Sequence, residues 1–129
     1  MKRIAILLIL VVLLLSGCSD NNQDSHAYTQ ITQEEAMGMM KLNDGHIIVD
    51  VRRQDEYDEG HIPGAILIPN ETISDERPKE LPDLNQIILI YCRTGRRSKE
   101  ASQKLADMGY TNIYEFGGIS TWSGEIATE

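Results

Sequence analysis

The segment QIILIYCRTGRRSKEASQKLADMG, residues 86–109, decides the fold. Its first six residues, 86–91, are nearly all apolar and rich in isoleucine, the pattern of a strand buried on both faces of a parallel sheet. Residues 98–108 carry apolar or small positions at 101, 105 and 108, the stripe of an amphipathic helix. Gly109 supplies its C-terminal cap. A buried strand running into a helix is the repeating unit of a parallel α/β sheet. Between the two stands Cys92, followed by Arg93, Thr94, Gly95, Arg96 and Arg97. Ligands of open α/β sheets collect at the carboxyl ends of the strands, which is where this sequence puts Cys92.

The flanking sequence supplies the rest of the sheet. Thr32 with Glu35 three residues later is a capping-box pattern, and Ala36, Met39 and Met40 form the core stripe of the helix it opens. Asn43-Asp44-Gly45 stops that helix. HIIVDV, 46–51, predicts a second buried strand, with a short helical turn over 55–59 and a short strand over 65–68. Residues 70–85 are polar, interrupted by Pro78 and Pro82, and predict one or two short helices. NIYEF, 112–116, predicts a last strand, and GGISTW a turn into a final helix. A weak early strand is placed near Tyr28–Ile31. The expected class is α/β, with a largely parallel central sheet flanked by helices.

The amino-terminal end is of another kind. Lys2 and Arg3 precede an unbroken apolar run from Ile4 to Leu15. Twelve residues fall short of the about 20 that span a bilayer and suit a signal peptide. Leu15-Ser16-Gly17-Cys18 resembles the lipobox of bacterial lipoproteins, which implies cleavage before Cys18 and lipid on that residue. The expected organisation is a signal peptide at 1–17, a lipidated flexible tether at 18–27 (polar and without periodicity) and one domain at 28–129. The protein is then exported to the cell envelope and held at the membrane by lipidated Cys18. Cleavage removes Lys2 and Arg3 and no acid, so the net charge falls from -8 to -10, with 10 Lys/Arg against 20 Asp/Glu. So acidic a chain lacks the basic surface that nucleic-acid binding needs, and it is repelled by anionic lipid headgroups, leaving the lipid as its only membrane attachment.

Against that background four of the ten mature cations, Arg93, Arg96, Arg97 and Lys99, fall within seven residues that contain no acid. With Cys18 claimed by lipid, Cys92 has no disulfide partner, and a lone thiol in an oxidising compartment is either reactive or intermolecular. Taken alone, it reads equally well as a buried apolar residue. Its setting tips the balance. A helix N-terminus and three arginines favour a sulfur anion and attract an anionic substrate. Gly95 lets the loop backbone take a positive φ or approach a ligand closely. His26, His46 and His61 are too scattered to form a zinc set with one cysteine, so neither metal nor cofactor is expected.

The loop CRTGRRS resembles the active-site loop of rhodanese-domain sulfurtransferases. DVRRQDEYDEGHIPGAILIP, residues 50–69, and YEFGGISTW, 114–122, are similar to two further signatures of that family, in the same order. The resemblance covers about residues 28–126. It implies a parallel-sheet α/β fold and transfer of sulfane sulfur through a cysteine persulfide. Cys92 then corresponds to the sulfur-accepting cysteine, the backbone amides of residues 93–97 to the cradle around the persulfide, and Arg97 to the donor-binding arginine at the loop's end. Asp50, Arg52 and Glu56 match structural positions, with an Arg52–Glu56 ion pair expected to brace the turn. Arg53 is read as a solvated charge, His61 as a packing and hydrogen-bonding residue, His46 as strand packing, and Trp122 as core or cleft wall.

The implied chemistry is a double displacement. Thiolate Cys92 takes the outer sulfur of an anionic donor such as thiosulfate, then passes it to cyanide, a thiol or a protein cysteine. Two other readings stay open. One is a persulfide or redox carrier, or a binding module, with little turnover. The other is phosphatase or arsenate-reductase-like anion chemistry. Cell-cycle phosphatases related to rhodaneses place arginine six residues after the cysteine, whereas here it stands five after, at Arg97, with Ser98 next.

Overall fold

The structure is a computed structural model and describes residues 27–128. The expected signal peptide, the lipidated Cys18 and the tether up to His26 lie outside the described residues. In chain order the elements are β1 (Thr29–Gln30), α1 (Gln33–Met40), β2 (Ile47–Asp50), α2 (Gln54–Glu59), β3 (Ile66–Leu67), a 3-10 turn (Asn70–Thr72), β4 (Ile87–Cys92), α3 (Arg96–Asp107), β5 (Asn112–Gly118) and a second 3-10 turn (Ile119–Thr121). The five strands form one sheet in the order β1-β5-β4-β2-β3, and every pairing is parallel. β4 is central, which is why its sequence is apolar on both faces.

Alternation along β4 sorts the core into two layers. Ile88, Ile90 and Cys92 face one side and join Val49, Val51, Ala101, Leu105, Ala106 and Ile113 beneath α3. Leu89 and Tyr91 face the other, with Ala36 of α1, Ile48, Ile62 and Phe116. The period of two thus places the Cys92 side chain on the α3 side, beside that helix's first turn.

Most element boundaries follow the sequence pattern. The capping box at Thr32 is present: its hydroxyl accepts the Glu35 N–H at 3.1 Å, and the Glu35 carboxylate accepts the Thr32 N–H. Three details differ. α3 starts at Arg96 rather than Ser98, because Gly95 at φ 114 turns the chain into the helix two residues sooner. Residues 70–85 hold a single 3-10 turn, and beyond it the chain is irregular, as Pro78 and Pro82 dictate. GGISTW leads into a 3-10 turn, not a helix. There Trp122 donates its ring N–H to the Glu125 carbonyl, and the chain continues extended, so that Ala127 pairs with His61 in an antiparallel bridge. Among the described residues no helix is long and apolar enough to cross a membrane.

Candidate active site

The site forms where β4 and β5 end. Their register shifts between the pairs Ile90–Glu115 and Cys92–Gly118. One extra residue on β5 is accommodated there by Gly117, whose φ is 87°. Past this bulge, Gly118 lies directly under the loop that follows Cys92. A Cβ on Gly118 would stand 2.0 Å from the Arg93 carbonyl oxygen and 2.6 Å from the Thr94 nitrogen, so only glycine fits. The Arg93 carbonyl in turn accepts the Ser120 N–H at 3.1 Å. The Gly-Gly element of the sequence therefore sets the height of the cysteine loop.

Cys92 is 1% exposed. The backbone N–H of Gly95 donates to its Sγ at 3.0 Å, and the Ser98 hydroxyl lies 3.3 Å from the same sulfur. The Gly95 N–H reaches it because of the left-handed turn at that residue, which another side chain would strain. The first turn of α3 contains no acid and begins Arg96, Arg97, Ser98, Lys99. Cations at the positive end of a helix cost about 0.3–1 kcal/mol each. This arrangement opposes helix stability and favours an anion at the loop.

The five residues after Cys92 do not act alike. Arg93 and Thr94 are exposed on the loop, and Gly95 is buried. Arg93 lines a hollow of about 270 Å³ together with Arg52, Glu56, Glu59, Ile119 and Ser120. Arg96 points outward and pairs with Glu100 at 2.9 Å. Arg97 is largely buried and meets Glu56 in a two-point pair, Nη1 to Oε1 at 2.6 Å and Nη2 to Oε2 at 2.9 Å. Hydrogen bonds from Arg97 hold the Glu56 carboxyl down to about 2, and the same pair raises the Arg97 guanidinium. That pair uses two of the five guanidinium donors.

The expected Arg52–Glu56 brace is not what forms. Arg52 instead binds Asp50, Nη2 to Oδ2 at 2.7 Å, and caps the Gly60 carbonyl at 2.7 Å. Asp50 also accepts the Tyr91 hydroxyl at 2.7 Å, while that hydroxyl accepts the Ile62 N–H. Asp50 at the end of β2 and the Gly60 carbonyl thus engage Arg52, two residues further on, and Glu56 is left to Arg97. Burial, then Asp50, push the Tyr91 hydroxyl far above the ordinary tyrosine range.

The remaining assignments are mostly as expected. Arg53 is exposed and pairs at the surface with Asp55. His61 is buried, its ring stacked on Tyr57 at 3.8 Å with a nitrogen 3.0 Å from the Tyr57 carbonyl. Trp122 packs on Phe116 at 5.7 Å and borders a separate hollow of about 780 Å³ lined by Met37, Met40, Ile48 and Ile62. That apolar hollow contains none of the arginines, whereas the smaller one is lined by Arg52 and Arg93; Cys92 lines neither. His46 precedes β2 and bonds Asp44 instead of packing within the strand.

Sequence reasoning passed over two residues, Ser98 and Glu115. Glu115 is 2% exposed and its Oε1 accepts the Ser98 hydroxyl at 2.6 Å and the Gly117 N–H at 2.8 Å. The signal was there in NIYEF: a lone acid between Tyr114 and Phe116 in a strand.

Comparison with known proteins agrees with this geometry. Residues 32–125 match the family model described as a rhodanese-like domain. Thiosulfate sulfurtransferase PspE of Escherichia coli is 37% identical over 71 residues, 55% of this chain and 68% of that protein. Thiosulfate sulfurtransferase GlpE of Coxiella burnetii is 34% identical over 105 residues, 78% of this chain and 92% of that protein. Among solved structures, a rhodanese with anions from E. coli superposes with a TM-score of 0.60 at 31% identity, covering 65% of this chain and 99% of that one. A parallel sheet ending in a cysteine loop, a glycine bulge beneath it and a family match across most of the domain lead to one assignment: the chain belongs to the rhodanese-like domain family.

Proposed function

We propose that the protein is a sulfurtransferase that moves sulfane sulfur from an anionic donor such as thiosulfate to a thiophilic acceptor, through a persulfide on Cys92. The observation that carries this reading is the Gly95 N–H aimed at Cys92 Sγ from a loop that enters a cation-bearing helix. The names of the two curated relatives support the same class of reaction.

In this reading Cys92 Sγ attacks the outer sulfur of thiosulfate, and the S–S bond breaks with its electron pair leaving on sulfite. The Gly95 N–H and the field at the start of α3 stabilise the anionic sulfur. Arg97, oriented by Glu56, has donors left for the oxygens of the donor. Arg93 stands at the mouth with no ion pair among the described residues and draws the anion in. The acceptor, whether cyanide, a small thiol or a protein cysteine, then takes the outer sulfur and Cys92 is regenerated as thiolate. On the lipobox reading this reaction takes place in the cell envelope, with lipidated Cys18 as the membrane anchor.

Thiosulfate:cyanide turnover, lost in Cys92→Ser, tests the proposal. Phosphate-ester hydrolysis without sulfur transfer would favour phosphatase chemistry. A persulfide formed in one step but not turned over would make the protein a carrier.

A further inference from the structure

We propose that Cys92 and Glu115 share one proton through the hydroxyl of Ser98, so that Glu115 is the internal proton acceptor that positions the nucleophile. This rests on the reading of Cys92 as the nucleophile.

The three residues form a closed chain of contacts. Sγ of Cys92 lies 3.3 Å from Ser98 Oγ, and Ser98 Oγ lies 2.6 Å from Glu115 Oε1. Cys92, Ser98 and Glu115 are 1%, 0% and 2% exposed, so bulk water does not take part. A hydroxyl has one proton to give. The Gly95 carbonyl at 3.0 Å and the Gly117 carbonyl at 3.4 Å compete for it, but the Glu115 oxygen is nearest at 2.6 Å. The 2.6 Å contact is in the range of a charge-assisted O–H···O⁻ bond. Ser98 therefore donates to Glu115 and turns a lone pair toward Cys92, whose S–H donates to it.

Charging the nucleophile then needs no outside base. The Sγ–H bond breaks and its proton joins Ser98 Oγ, while the Ser98 O–H bond breaks and that proton joins Glu115 Oε1. The electron pair stays on sulfur, and the negative charge moves from carboxylate to thiolate. Afterwards Ser98 donates to the sulfur it formerly accepted from, and with Gly95 N–H it gives the thiolate two donors.

The surroundings enforce the sharing. Glu115 has no Lys, Arg or His within ion-pair distance among the described residues; its Oε1 is held by Ser98 and the Gly117 N–H alone. Two buried anions bridged by one oxygen oppose each other, so the pair gives up its protons in coupled steps. The other charged groups near this pocket are Arg97 from α3, whose guanidinium is bound to Glu56 of α2, and the exposed Arg93 from the loop. From β5 the neighbours are Gly117 and Gly118, which are uncharged.

The test is a titration that does not depend on turnover. The full chain is labelled with 13C at cysteine Cβ and glutamate Cδ, and the Cys92 and Glu115 signals are followed by NMR across pH. Sharing predicts that both carbons move at the same two midpoints. In Glu115→Gln, Cys92 should titrate in one step, about one pH unit or more below the upper step of the wild type. Separate single steps for the two carbons, with the Cys92 midpoint unmoved in Glu115→Gln, would overturn the proposal. If Glu115→Gln does not fold, the wild-type titration decides alone. Coupled titration in a protein that forms no persulfide would refute the sulfurtransferase reading and leave the shared proton standing.

Discussion

Glu56 of α2 and Arg97 of α3 meet end-on, each of the two oxygens taking its own terminal guanidinium nitrogen, 41 residues apart in the chain. This pair fixes the direction of an arginine that would otherwise sweep the mouth of the site. Arg97→Ala should lower kcat/KM for thiosulfate by about tenfold to a hundredfold, the weight of a charge-assisted hydrogen bond of about 1.5–3 kcal/mol. Arg97→Lys should recover only part, since an ammonium cannot make the two-point contact. Arg93→Ala should cost less and lose its effect at high salt. Arg96→Ala should cost least, because Arg96 is already paired with Glu100 at the surface. Kinetics of the four variants at low and high ionic strength check the order; equal small losses erased by salt would show that Arg97 has no positioned role.

The same pair gives the fold an acid-sensitive joint. Glu56 titrates at about 2 in the folded chain against an ordinary 4.5. A depressed carboxyl contributes stability that is complete above the unfolded value and is lost as pH falls through the folded one. The urea midpoint of the wild type should therefore exceed that of Glu56→Gln near neutral pH. The gap should narrow below about 4.5 and vanish near about 2. Parallel curves across that window would mean the pair contributes nothing.

Two glycines should respond oppositely to alanine. Gly118→Ala drives a Cβ into the Arg93 carbonyl; it should destabilise by about 1–3 kcal/mol and displace the cysteine loop, lowering sulfur transfer. Gly38 sits within α1, at no positive φ and with nothing within 4 Å of an added Cβ. Gly38→Ala should stabilise by about 0.5–1 kcal/mol and leave activity unchanged. Thermal melts and a thiosulfate:cyanide assay on both variants give the comparison.

The strands and the main helix were legible because burial imposes a period. The five apolar residues at 87–91 read as a central strand, and the stripe at 101, 105 and 108 as a helix laid on it. Cys92 was legible because it interrupts that pattern in front of three arginines. The destinations of the charges were not. Whether Glu56 meets Arg52 or Arg97 depends on Asp50, which claims Arg52 at 2.7 Å across the end of β2. Glu115 meets Ser98 because the alternation of β5 turns Glu115, like Ile113, toward α3, and a contact between two elements 17 residues apart leaves no mark in local periodicity. The helix expected after Gly118 fell to a tertiary contact, the bridge between Ala127 and His61.

Cys18→Ala should release the protein from membranes, since the acidic chain offers the surface little else. Fractionation after a salt wash measures this. Retention of the variant in the membrane fraction would point to the uncleaved apolar segment or to a partner as the anchor.

The central claim is that Cys92 carries sulfur, and mass spectrometry of the purified protein before and after thiosulfate reads it directly. The account predicts one added sulfur atom, localised to Cys92, removed by cyanide and absent in a folded Cys92→Ser variant. No added sulfur after thiosulfate, or an addition that persists in Cys92→Ser, would contradict it.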